Sequence, residues 1–127
     1  MINTRTGIRN LTSSISKLSD SLSEKVKNTN QVIEENLSSE ETPIIGDIAS
    51  HLINSGGKRI RPLLTLAASK LFDYKGSRDT FLAAAIEYIH SATLLHDDVI
   101  DRSEIRRGLK TANIVWTNKY SVLVGDF

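Results

Sequence analysis

The sequence predicts an all-α protein, on three observations. Apolar residues recur at spacings of three and four over most of the chain. Breaks are few, with two Pro and seven Gly in 127 residues. A strand-like run occurs only at Ser121–Val124.

Each element follows from that pattern. Ile8, Leu11, Ile15, Leu18, Leu22 and Val26, then Ile33 and Leu37, predict one amphipathic arm running to about Ser39. Its serines, dense from Ser13 to Ser23, weaken the helix because their hydroxyls compete for backbone groups. Packing is the plain role for this arm; a coiled-coil or dimer arm is the sharper one. Ser38–Pro43 is a break with helix-start chemistry, and Pro43 suits a first helical turn. Ile44, Ile45, Ile48, Ala49, Leu52 and Ile53 trace one face of a second helix, which Gly56-Gly57 ends. A third helix runs from about Arg61 to Phe72 with Pro62 in its first turn, and Asp73–Ser77 is a turn. The fourth covers about Asp79 to Asp101. Its middle, Phe81–Ile89, is apolar nearly all round, which predicts burial on every side. Arg102–Lys110 reads as a charged loop containing Gly108. A last helical stretch runs from Thr111 to Phe127 without a stop signal. The expected organisation is one incomplete domain, with an arm over 1–42 and motif-bearing helices over 43–127.

Composition excludes several classes. A 14.1 kDa chain with 39% apolar residues suits one small domain with a core. Sixteen Lys+Arg against fifteen Asp+Glu leave a net charge of +1, so the basic excess of a nucleic-acid binder is missing. Without Cys there is no disulfide, thiol catalysis or cysteine-held metal. No apolar run is long enough for a membrane span, and the polar start lacks the apolar segment of a signal peptide. The expected compartment is the cytoplasm.

Three clusters carry chemistry. Asp97 and Asp101 are four apart on one helical face, with Asp98 beside them. Like charges at that spacing repel, so a cation belongs between them; Mg²⁺ is commonly held by one or two carboxylates plus substrate phosphates. The competing reading is a solvated acidic helix end. Next, Lys58, Arg59 and Arg61 follow a Gly pair at a helix start, where cations oppose the helix dipole. Their placement suggests an external anion, though a basic surface turn is the plainer alternative. Last, Arg102, Arg106, Arg107 and Lys110 lie just past the carboxylates, either as mutual salt bridges or as partners of a Mg²⁺–polyphosphate ligand. His90 lies two turns before Asp97 and on its stripe.

Taken in order, GGKRIRPLL (Gly56–Leu64), EYIHSATLLHDDVID (Glu87–Asp101), RRGLKTAN (Arg106–Asn113) and SVLVGDF (Ser121–Phe127) resemble the trans-isoprenyl diphosphate synthases, and more closely the long-chain polyprenyl, octaprenyl-type members. The likeness covers roughly Pro43 to Phe127. It implies a helical bundle of the isoprenoid-synthase type, usually a homodimer, that condenses isopentenyl diphosphate head-to-tail onto an allylic diphosphate with Mg²⁺. It implies Asp97 and Asp101 as metal ligands with Asp98 in support. Lys58, Arg61, His90 and Arg107 are implied for isopentenyl diphosphate, and Arg106 for the allylic diphosphate. Glu87, Arg59 and Trp116 are left as structural. Small residues at Ala92 and Thr93, upstream of the carboxylates, imply a long product. The family's second aspartate-rich motif is expected beyond Phe127, so the chain reads as the N-terminal portion of such an enzyme, partnered by itself or by the missing half. Thr117 stands where relatives usually carry Gly, and Tyr120 is bulkier than the usual small residue. The alternatives are a non-catalytic helical module that dimerises with a full-length relative, and a metal phosphohydrolase or terpene-cyclase relative.

Overall fold

The computed structural model describes residues 4–37, 42–55 and 57–127, with side chains from residue 9 onward. The expected break over residues 38–41 and the first glycine of the pair, residue 56, lie outside the described residues. In chain order the elements are α1 (Thr4–Ser21), α2 (Ser23–Leu37), α3 (Pro43–Asn54), α4 (Ile60–Leu71), α5 (Arg78–Ile100), β1 (Ile105–Arg106), β2 (Leu109–Lys110), α6 (Ala112–Val115) and α7 (Asn118–Asp126).

The arm is two helices rather than one. It breaks at Leu22, whose N–H donates to the Ser19 carbonyl at 3.1 Å, three residues back instead of four. The break delivers Leu22 into a core with Leu63, Leu66 and Ala83, flanked by Ile15, Leu18, Val26 and Ala67. The serine-rich helix before it gives up little by ending there.

Helix α5 is the spine. Its N-terminal half takes that first core. Its C-terminal half takes a second, formed by Ile48, Leu52, Leu95 and Ala112 with Ile44, Leu94, Trp116 and Val124 at its border. Between them the Tyr88 hydroxyl donates to the Ile33 carbonyl at 2.7 Å and ties α2 to the middle of α5. Burial raises the pKa of that phenol. At the start of α5, buried Asp79 accepts from Lys25 at 2.8 Å and from Ser69 at 2.8 Å, locking α2 and α4 to it. At its far end, Ser121 Oγ donates to the Leu95 carbonyl at 3.0 Å and seats α7.

Three expectations are corrected. Helix α5 is not buried on every side: Phe81, Leu82 and Ile89 are exposed, because the described elements cover only part of its circumference. The charged segment after it is a hairpin, with Ile105 opposite Lys110 and Arg106 opposite Leu109. Arg107 and Gly108 both take positive φ, 51° and 82°, which is the pattern of a tight type I′ connection. The final stretch is interrupted at Thr117, where φ reaches 141°, and the strand-like run at Ser121–Val124 lies within α7. Ser121 and Val124, three apart, face the core while Val122 and Leu123 between them are exposed, a helical spacing that overrides β propensity.

Candidate functional site

The loop before α4 and the middle of α5 form the walls of a cleft of about 650 Å³. Lys58, Arg59 and Arg61 come from the loop and first turn of α4; Glu87 and His90 come from α5; Arg107 reaches in from the tip of the hairpin. Four residues singled out in sequence, Lys58, Arg61, His90 and Arg107, therefore share one wall-to-wall space.

Local conformation arranges them. Arg59 takes φ 48° as the residue preceding α4 and donates to Glu87 at 3.0 Å. That pair, left as structural in the sequence, fixes the loop against α5 and occupies the cleft's carboxylate. Among the described residues no carboxylate pairs with Lys58, Arg61 or Arg107. Gly57 explains how Arg107 enters: a Cβ there would come within 2.6 Å of the Arg107 guanidinium. Cleft residues Ser55, Gly57 and Ile60 were not singled out; only the glycine left a signal, as a site of close backbone approach.

His90 is neutral in this setting. Arg61 Nη1 donates to its Nε2 at 3.2 Å, so the ring proton belongs on Nδ1. Burial first, and then the positive charge of Arg61, hold its pKa below the ordinary histidine value, with Arg107 and Arg106 adding to the effect against Glu87. Three unpaired cations around a neutral imidazole repel one another, and an anion in the cleft relieves that repulsion.

The acidic cluster lies apart. Asp97 and Asp101, both exposed, do not line the cleft. Asp98, 2% exposed, turns the other way. It accepts from Arg106 Nε at 3.0 Å and Arg106 Nη2 at 2.7 Å, and this contact raises the arginine's pKa. The three carboxylates thus divide into an outward pair and an inward anchor. No group of three or more acidic or histidine side chains gathers to hold a metal among the described residues. Two outward carboxylates on one helical face still suit a hard cation that keeps waters and takes phosphate oxygens. His96 does not complete a metal set: it meets Asp126 at 3.3 Å and the Val122 carbonyl at 3.2 Å, holding α7. His51 bonds to the Lys110 carbonyl at 2.8 Å and stacks edge-on to Trp116. Arg102 and Lys110 line no part of the cleft.

A helical scaffold with a cationic cleft that no described carboxylate neutralises, beside a helix that ends in outward carboxylates, is an arrangement that suits a polyanionic, phosphate-bearing ligand. A family model described as polyprenyl synthetase matches residues 42–127, and the chain belongs to that family. It is similar to octaprenyl diphosphate synthase of Escherichia coli (strain K12), 42% identical over 113 residues, which are 89% of this chain and 35% of the relative. It is also similar to heptaprenyl diphosphate synthase component 2 of Geobacillus stearothermophilus, 40% identical over 84% of this chain and 33% of the relative. Among solved structures, a decaprenyl diphosphate synthase from Rhodobacter capsulatus superposes with a TM-score of 0.86 at 53% identity, covering 88% of this chain and 34% of that one. A polyprenyl synthase from Caulobacter crescentus CB15, complexed with calcium and isoprenyl diphosphate, gives 0.85 at 44% identity, covering 88% and 34%. The chain spans about a third of the length of the curated relatives it matches.

Proposed function

We propose that this chain is the diphosphate-recognising portion of a long-chain trans-polyprenyl diphosphate synthase, and that its cleft receives isopentenyl diphosphate. One observation carries the reading: Lys58 and Arg61 from one segment and Arg107 from another far along the chain converge on one space in which no described carboxylate pairs with them. In this reading Lys58, Arg61 and Arg107 bind the diphosphate oxygens, and His90 adds a neutral ring able to donate once its tautomer or charge adjusts. Arg106, beside the acidic helix end, meets the allylic diphosphate.

Asp97 and Asp101 would hold Mg²⁺, which supplies neutralisation of the departing diphosphate. The condensation breaks the allylic C–O bond, joins that carbon to the double bond of isopentenyl diphosphate, and ends in proton loss. The chain's share is to hold two diphosphates on adjacent cationic walls, so that the two hydrocarbon ends meet. Association with a second copy or with a chain bearing the rest of the fold accompanies this reading. A cytoplasmic location goes with it. No described helix is long and apolar enough to cross a membrane. The exposed apolar side chains of α5 and α7 favour one second reading, a non-catalytic module that docks on a full-length relative.

The test is a condensation assay with Mg²⁺, labelled isopentenyl diphosphate and farnesyl diphosphate, run on the chain alone and with any co-purifying partner. Long-chain product that disappears in Asp97→Ala supports the enzymatic reading. Folded protein that yields no product in either setting supports the docking module.

A further inference from the structure

The third carboxylate of the acidic cluster has a different task from its neighbours. Asp98 is almost wholly buried, while Asp97 and Asp101, one and three residues away, are exposed. Its two oxygens take the Nε and Nη2 hydrogens of Arg106 side-on, at 3.2, 3.0 and 2.7 Å. A guanidinium carries five N–H donors, so side-on pairing leaves Nη1 and one Nη2 hydrogen unspent. The Arg106 side chain is 29% exposed, so it is not closed off from solvent. The backbone sets the same register. The Ser103 N–H donates to the Asp98 carbonyl at 2.9 Å, and Thr111 Oγ1 and Asn113 Nδ2 donate to the Ser103 carbonyl at 2.8 and 3.2 Å. The β1–β2 turn then sends the next residue, Arg107, into the cleft.

We infer that Asp98 is a positioning residue: it pins one edge of the Arg106 guanidinium so that the opposite edge stands as a preset two-pronged donor for a phosphate group. This rests on the diphosphate reading above and gives Asp98 a role distinct from metal ligation. A bidentate arginine fork fits phosphate geometry, and fixing it before the ligand arrives removes an ordering cost on binding.

The experiment titrates the full chain with Mg²⁺ and inorganic pyrophosphate by calorimetry, and follows the Arg106 Nε–H signal by NMR. In the wild type that signal exchanges slowly, and in Asp98→Asn it broadens or exchanges away. Asp98→Asn and Arg106→Gln each weaken pyrophosphate binding about tenfold, the order seen when a partner orienting a metal ligand is removed. The double variant loses no more than Arg106→Gln alone, since both remove one device. Arg106→Lys keeps a charge against buried Asp98 and so keeps the fold, yet loses the fork and binds about tenfold more weakly. Unchanged binding in Arg106→Lys, additive losses in the double variant, or a freely exchanging Arg106 signal in the wild type overturns the inference. Absence of any pyrophosphate binding by the wild type overturns the diphosphate reading and the inference with it, whatever the Arg106 signal shows.

Discussion

Thr117 shows how much one residue can cost. A β-branched residue at φ 141° sits in backbone space that favours glycine, at an expense of about 1–3 kcal/mol. Its hydroxyl returns little, accepting from the Tyr120 N–H at 3.5 Å. Thr117→Gly is therefore expected to stabilise the chain by about 1 kcal/mol, read as a rise in the denaturation midpoint with an unchanged slope. The resemblance had marked Thr117 as a departure from an expected Gly, although only the structure supplies the φ that explains it. Asp79 is the opposite case. Burial on its own would raise its pKa, but hydrogen bonds from Lys25 and Ser69, the Lys25 charge and the Thr80 N–H outweigh it and hold the value below the ordinary carboxylate range. A depressed carboxylate stabilises the fold above its unfolded pKa of about 3.9, and that contribution is lost as pH falls through the folded value. Asp79→Asn should thus destabilise the chain at pH 7, and its difference from wild type should begin to shrink near about pH 4 and vanish only below the depressed folded pKa, checked by denaturation across pH.

The elements were legible wherever one segment carried its own pattern. Helix α3 begins at Pro43, and α4 and α5 start within a residue of their expected positions, because prolines, turn residues and apolar spacing are local. What escaped depends on partners distant in sequence. The arm breaks at Leu22 because Leu63, Leu66 and Ala83 draw that leucine into their core. The hairpin was hidden by its charges, although Gly108 between Ile105 and Leu109 marks a turn. Site residues were legible as types, and the resemblance already grouped Lys58, Arg61, His90 and Arg107 on one ligand; what spacing did not reveal is the approach of Arg107 to Gly57, which the hairpin turn sets. Because the conflict at Gly57 falls on the mobile end of a side chain and not on backbone, Gly57→Ala should displace the Arg107 guanidinium and leave folding intact. Anion affinity would fall several-fold with an unchanged melting temperature, measured by calorimetry and thermal denaturation. Gly108→Ala should act on folding instead, costing about 1 kcal/mol through its φ of 82°.

At the scale of the molecule, two small cores on one long helix leave much apolar surface in water. Leu71, Phe72, Ile89, Ile100 and Phe127 are each largely exposed. The chain also spans about a third of the length of its curated relatives. Isolated protein is expected to self-associate at micromolar concentration, detected by sedimentation velocity; a sharp cooperative melt of a monomer would count against this. The cleft is independent of that surface, since its walls are fixed by the Arg59–Glu87 pair and by α4 on α5. Its function is therefore testable on the chain as it is, by calorimetric titration with isopentenyl diphosphate in the absence of metal. Saturable binding to one site is expected, weakened about tenfold or more by Arg61→Gln and by Arg107→Gln, and left unchanged by Asp97→Ala, which lies outside the cleft. No binding, or binding indifferent to both arginines, would contradict the assignment of this cleft as the diphosphate site.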